Sequence, residues 1–258
     1  MHPLTFRELG DSFQLDSVLQ WGSLPSIFAL NPADKNEYLR SYTQTYLKEE
    51  ILQEQLVRNG SSFRSFLPVA AQENGNTLNF SKLARDVGID TKTMQSFFQI
   101  LEDTLVGFYL PAFHFSQRKS IKLQPKFYLF DLGVKKALEG SLSQPSPERS
   151  SGYSKAFEHF LICEVFRLNS YARSDFFLSH YQTNSGGEID LVLKRGKEVI
   201  AIEIKSTERI DPVEVRRLKR VAEPLLPKSI YYVSQDPVTT KIDGVNCLHW
   251  KKFLETLF

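Results

Sequence analysis

Asp190, Glu203 and Lys205 are two carboxylates and an ammonium whose spacing places them together at the end of a strand pair. Oxygen donors of this type suit a hard divalent cation, and the lysine adds a positive charge beside it. Leu191 to Leu193 and Val199 to Ile204 are rich in Val, Ile and Leu, and Lys194-Arg195-Gly196-Lys197 lies between them. That pattern predicts a β-hairpin, with Gly196 free to adopt a positive φ in the turn. With Arg195 and Gly196 as the loop, Asp190 faces Ala201 and becomes the diagonal neighbour of Glu203, their backbones roughly 7 to 8 Å apart. Because strand side chains alternate, Asp190, Glu203 and Lys205 then share one face, and Ile189, Leu191, Ile200, Ile202 and Ile204 fill the other. A loop of two or four residues keeps this arrangement, whereas three or five would split the carboxylates between faces.

An upstream helix is expected over YSKAFEHFLICEVFRLNSY. There Leu161, Ile162 and Val165 stand three, four and seven residues after Glu158, so Glu158 lies along the apolar side. An ordinary reading accounts for the same residues: exposed strands carry Glu and Lys routinely, and an acid near a helix start favours the macrodipole. Against it, Val199 to Ile202 is apolar on both faces, as an interior strand would be. Charges that end such a strand are costly unless paired or metal-bound.

Asp190, twelve intervening residues and then Glu203-Ile204-Lys205 resemble the PD-(D/E)XK restriction-endonuclease-like superfamily in its D…ExK form, with Ile189 where the proline of the name would stand. The resemblance implies phosphodiester hydrolysis. Asp190, Glu203 and the Ile204 carbonyl would hold Mg²⁺ or Mn²⁺, Lys205 would position water and stabilise the developing anion, and Glu158 would complete the metal shell. The alternative is a catalytically inactive module of the same fold that binds DNA or a protein.

The chain has 258 residues, 41% hydrophobic and 24% charged, enough for about two domains. A net charge of +2 means that nucleic-acid affinity must come from local patches. Two cysteines, Cys163 and Cys247, offer neither a disulfide framework nor a zinc cluster, and a reducing cytoplasm is expected. The five histidines show no metal-ligand spacing. Neither a membrane span nor a signal peptide is recognisable.

Between Leu138 and Ser154, prolines, glycines and serines interrupt the apolar pattern, which predicts a linker over residues 139–153. Before it, Asp34 is expected to cap a helix with Tyr38, Leu39, Tyr42, Tyr46, Leu47, Ile51 and Leu52 as its stripe. Phe63, Phe66, Leu67 and Ala70 mark a second helix. Leu83, Ala84 and Val87, then Gly88, then an Asp90-capped helix with Met94, Phe97, Phe98 and Leu101 inside, form a helix-turn-helix. Strand-like segments follow, so a winged helix is expected within residues 31–138. Its second helix offers Lys92, Gln95 and Gln99 without an arginine, and Glu102 and Asp103 close it, so base-specific reading and a regulator's role are poorly supported. Arg118, Lys119, Lys122 and Lys126 around the wing are candidate phosphate contacts. Beyond the hairpin, a helix over PVEVRRLKRVAEPL presents Arg216, Arg217, Lys219 and Arg220, which either touch a phosphate backbone or keep the helix soluble.

MHPLTFRELG, WGSLPSIF, EYLRSYTQTYLKEEI, the winged helix and FYLFDLGVKKAL, taken in order, resemble the region downstream of the nucleotide site in prokaryotic AAA-type ATPases with a C-terminal domain of uncharacterised role. No GxxxxGK[ST] phosphate cradle occurs, so no ATP site and no P-loop hydrolysis are expected here. Residues 1–30 read as the end of an ATPase domain whose remainder was lost by truncation or gene splitting, or lies on another chain. Expected partners are DNA and that ATPase domain, with self-association also compatible and no membrane. The overall expectation is α/β and α+β: a helical winged-helix domain, then over residues 154–258 a restriction-endonuclease-like α/β domain with a central mixed sheet.

Overall fold

The computed structural model of the chain describes residues 2–46, 60–116, 120, 123–144, 147–183 and 185–258. Two compact units divide it: Met1–Tyr109 with Lys126–Ser146, and Leu110–Pro125 with Pro147–Phe258. A helical first part precedes an α/β part with a mixed sheet, as the hydrophobic patterning predicts.

In the first unit, α1 (Phe6–Leu9) starts with a capping box in which Thr5 and Glu8 satisfy each other's backbone amides. After α2 (Leu15–Trp21), α3 (Pro32–Ser41) begins at Asn31, whose side chain accepts the Asp34 amide, with Pro32 in the first turn. The cap is therefore Asn31 and not Asp34, because Pro32 has the helical φ fixed and needs no amide partner. The expected stripe beyond it falls partly on Tyr46, Leu47, Ile51 and Leu52, of which only the Tyr46 backbone lies within the described residues. On α4 (Gly60–Gln72), Phe63, Phe66, Leu67 and Ala70 are buried as expected, with Ala71 beside them.

The helix-turn-helix forms from α5 (Phe80–Val87) and α6 (Thr91–Asp103). Gly88 closes α5 at φ +75°, and the Asp90 carboxylate caps α6 by accepting the Lys92 and Thr93 amides. Phe66, Phe97, Phe98 and Phe127 meet edge-on or tilted, their centroids about 5 Å apart, around this pair. A two-stranded sheet follows from β1 (Gly107–Leu110) and β2 (Lys126–Leu129), then α7 (Leu132–Glu139). Asp131 caps α7 through the Val134 amide at 3.0 Å and accepts the Ser23 amide at 2.7 Å. Gly22, at φ +75°, lies so close that a Cβ there would collide with the Asp131 carboxylate.

The second unit is built on a six-stranded mixed sheet in the order β3-β4-β5-β6-β8-β7. Its strands are β3 (Phe177–Gln182), β4 (Glu188–Arg195), β5 (Glu198–Ile204), β6 (Ser229–Ser234), β7 (Thr240–Ile242) and β8 (Val245–His249). β3, β4 and β5 run antiparallel in sequence, while β6 is parallel to β5 and β8 to β6. The connection between β5 and β6 is α9 (Pro212–Ala222), whose Val215, Leu218 and Ala222 pack with Val192, Val199, Ala201, Tyr232 and Cys247. Burying valine and leucine side chains of this kind stabilises by about 1.5–3 kcal/mol each. Before the sheet runs α8 (Ser151–Tyr171), and after it α10 (Trp250–Leu257), with Phe160 of α8 meeting Trp250 edge-on.

The stretch Leu110–Pro125, expected as part of the wing, groups with this second unit. Ala112 bridges to His180 in parallel: the His180 amide donates to the Pro111 carbonyl at 2.9 Å, and the Phe113 amide to the His180 carbonyl at 2.5 Å.

Candidate metal centre

The turn between β4 and β5 is Gly196-Lys197, with Arg195 paired to Glu198 and Gly196 at φ +58°. A charge pair across the last rung, Arg195 to Glu198 at 2.9 Å, accompanies this register. The loop lies one residue on from the expected Arg195-Gly196, so each β4 residue's partner on β5 shifts by two. A two-residue shift preserves which side chains share a face. The last pair on the far end is Leu191 with Ile202, and Asp190 and Glu203 are the next residues along the two strands.

β4 also carries an irregularity there. Between Ser179–Val192 and Tyr181–Ile189, β3 advances two residues while β4 advances three. The extra residue falls at Asp190 or Leu191, as in a β-bulge, and it changes side-chain direction. Ile189, expected among Leu191 and the isoleucines of the opposite face, instead packs with Val192, Ala201 and Val215. Asp190 is turned towards β5, where its Oδ2 accepts the Ile204 amide at 2.7 Å. Since N–H and C=O of one extended residue point to the same flank, the Ile204 carbonyl also faces the side that β4 has left. The neighbouring Lys205 amide points the other way, to the Val233 carbonyl of β6 at 2.9 Å.

Glu203 shares its face with Val199 and Ala201 and pairs with Tyr232 across to β6. Lys205 Nζ lies 2.7 Å from Glu203 Oε1, the side chains 31% and 16% exposed respectively. Glu203 Oε2 is buried and has no hydrogen-bond partner among the described residues. Burial pushes the Glu203 carboxyl above the usual range, with Glu158 and Glu188 adding to the push and Lys205 opposing it. Burial also disfavours the Lys205 ammonium, but attraction to Glu203, Asp190 and Glu214 outweighs it and holds that group above the ordinary lysine value. Asp190, Glu203 and Lys205 are therefore neighbours, and Glu158, half-buried on α8, is within electrostatic reach.

Sequence reasoning missed Glu214 and Tyr232. The Tyr232 hydroxyl donates to Glu214 Oε2 at 2.9 Å, and burial followed by this carboxylate pushes the phenol far up. Glu214 stands where a capping-box acid would be expected after Asp211, which hid its link to the sheet.

Chemically, the oxygen donors of Asp190, Glu203, Glu158 and the Ile204 carbonyl suit Mg²⁺ or Mn²⁺, and the partnerless Glu203 Oε2 is an acceptor for such an ion. Yet among the described residues no three His, Cys, Asp or Glu side chains are arranged to hold a metal ion. One oxygen of each carboxylate is already engaged, Asp190 Oδ2 by the Ile204 amide and Glu203 Oε1 by Lys205.

The basic candidates divide. Arg216 and Arg217 are exposed on α9 with Lys219 and Arg220, and Arg216 already pairs with Asp243 at 3.1 Å. Lys126, expected on an exposed wing, is buried at 4% exposure within β2 and adds nothing to a surface patch. Arg118, Lys119 and Lys122 lie outside the described residues. On α6, Gln99 spends its amide on Glu102 at 3.2 Å and Asp103 at 2.9 Å.

A family model for a domain of unknown function (DUF8612) matches residues 12–145. The chain belongs to the DUF8612 family. A second model, for a domain of unknown function (DUF4143), matches residues 153–253, and DUF4143 is known as a C-terminal domain of AAA-type ATPases. In this DUF8612 chain the second match thus carries α8, the six-stranded sheet and all four candidate side chains, Glu158, Asp190, Glu203 and Lys205. No curated protein matches the chain. No described helix is long and apolar enough to cross a membrane.

Proposed function

We propose that the second unit is a PD-(D/E)XK-type domain that hydrolyses phosphodiesters in DNA with Mg²⁺ or Mn²⁺, serving an AAA-type ATPase. One observation carries this reading: Glu203 Oε2, buried and partnerless among the described residues, beside Asp190 and the Lys205 ammonium. A buried acceptor left unmatched is costly, and a cation bound there would satisfy it. The order helix, strand hairpin, helix, strand through α8, β4, β5, α9 and β6 supports the same core.

A bound Mg²⁺ would supply a lowered pKa to coordinated water and neutralise charge on the phosphate. The chain's own residues do the rest. Lys205 holds a fixed positive charge at the strand end where negative charge would grow. The Asp190–Ile204 bond keeps both residues from shifting as the ladder opens, and the hydrophobic face under Glu203 limits water around the carboxylates. Arg217, Lys219 and Arg220 supply backbone-phosphate contacts on exposed α9, and the first unit is read as a winged helix that contributes shape and not base recognition. Two buried free cysteines fit a reducing cytoplasm.

The internal pairing of Glu203 with Lys205, with no ready metal-holding group among the described residues, favours one second reading: an inactive module of this fold that docks DNA or protein for the ATPase. Calorimetric titration with Mg²⁺ and Mn²⁺, beside cleavage of duplex and single-stranded DNA, separates the two. Hydrolysis is expected in the parent and loss of it in Asp190→Ala and Lys205→Ala, with cation binding removed by Glu203→Ala. A parent that binds no cation and cuts no DNA would establish the inactive module, whereas variants that cut as well as the parent would overturn the assignment of Asp190 and Lys205.

A further inference from the structure

Past the paired part of β5, the chain remains tied on two sides. Gln235, just beyond β6, donates from Nε2 to the Ser206 carbonyl at 2.8 Å, and its own amide donates to the Thr207 carbonyl at 2.9 Å. The same side-chain amide lies 3.4 Å from the Tyr153 hydroxyl in the first turn of α8. On the other flank, Ser206 Oγ and Ser154 Oγ are 2.8 Å apart. Ser154 precedes Glu158 by one helical turn, on the same side of α8. Ser206 follows Lys205 directly. These bonds therefore join the strand end that carries Glu203 and Lys205 to the helix face that carries Glu158. The electrostatic effect of Glu158 on Glu203 agrees with that proximity.

We propose that Gln235, with the Ser154–Ser206 pair, is a positioning clamp that fixes Glu158 over the Glu203–Lys205 strand end and so sets the geometry of the cation site. The inference rests on reading that site as cation-dependent. Gln235 touches neither cation nor substrate; it acts through Ser206, Thr207 and α8. Such supporting residues typically change metal affinity by about ten- to a hundredfold when removed.

The test uses the full chain and Mn²⁺ as the probe. Gln235→Ala is expected to speed amide hydrogen exchange over residues 203–209 and the first turns of α8, and to weaken Mn²⁺ binding by about tenfold. Ser154→Ala, a milder change at an exposed position, should move both readouts in the same direction. A disulfide made by Ser154→Cys with Ser206→Cys should restore Mn²⁺ affinity in the Gln235→Ala background on oxidation, a recovery that general destabilisation would not show. The two native cysteines are buried and leave that pairing undisturbed. Unchanged exchange in both variants would overturn the clamp. Faster exchange with unchanged Mn²⁺ affinity, or lost affinity that the disulfide does not restore, would overturn the positioning role. A parent that binds no Mn²⁺ would instead sink the functional reading and the positioning role with it, an outcome distinct from a parent and a Gln235→Ala variant that bind equally.

Discussion

Asp190 Oδ2 accepts the Ile204 amide at 2.7 Å, so a side chain takes over from the main chain at the point where β4 and β5 part. The bond makes Asp190 structural as well as chemical. Asp190→Ala should lower stability by about 1–3 kcal/mol, since the Ile204 amide loses its acceptor. Asp190→Asn keeps an acceptor and should retain most of that stability while losing cation binding and DNA cleavage. Urea denaturation beside a cleavage assay checks this, and equal stability in the alanine and asparagine variants would show the bond to be immaterial.

The pH dependence of stability offers a second check. Burial, only partly opposed by Lys205, raises the Glu203 pKa in the folded chain. The folded state then binds this proton more tightly than the unfolded chain does. Its contribution is full below the ordinary carboxylate value and is lost as the pH climbs through the raised one. As the pH climbs from the ordinary carboxylate value through the raised one, the parent should lose stability relative to Glu203→Gln, other carboxylates cancelling in the comparison. Urea midpoints for the two proteins at stepped pH would reveal the trend, and a difference that stays flat or runs the other way would contradict it.

In the first unit, Gly22→Ala tests a close approach. The residue has φ +75° and abuts Asp131, which caps α7 and holds the Ser23 amide. Strain and displacement of that carboxylate should together cost about 2 kcal/mol or more. Guanidinium unfolding followed by helical circular dichroism measures it; a loss under about 0.5 kcal/mol would mean that the contact relaxes freely.

For the basic helix, Arg217→Glu with Arg220→Glu should weaken DNA binding about equally across sequences, and each lost phosphate contact should reduce the salt slope by about one. Arg216→Ala should do less, its guanidinium being engaged with Asp243. Fluorescence anisotropy at several salt concentrations discriminates; unchanged affinity in the double variant would remove α9 from the interface.

The site was legible in the sequence to the extent that period-two alternation governs it. That rule places Glu203 and Lys205 on one face whichever of the two even registers forms. It could not choose between them: Lys194-Arg195-Gly196-Lys197 supports two turns, and the pairing of Arg195 with Glu198 accompanies the one that forms. The bulge at Asp190 or Leu191 is invisible in the sequence, because an inserted residue leaves no compositional trace, and alternation alone therefore puts Ile189 on the wrong face. β3 escaped for a related reason: buried Ser179 and His180 break the apolar signal that a strand normally shows. In the helical unit the caps at Asp90 and Gly88 were readable because each satisfies or frees a specific backbone group. Asn31 was passed over for Asp34, three residues on, although Pro32 marks the true start.

The polypeptide passes between its two units three times, after Tyr109, after Pro125 and after Ser146. No single cut therefore yields two whole fragments. A piece begun at Pro147 would abandon the Pro111–Phe113 ribbon that lies along His180, leaving a bare β3 margin ready to recruit neighbouring molecules. Expression of the sheet by itself would call for that ribbon to be supplied, by permuting the gene or by adding it as a peptide.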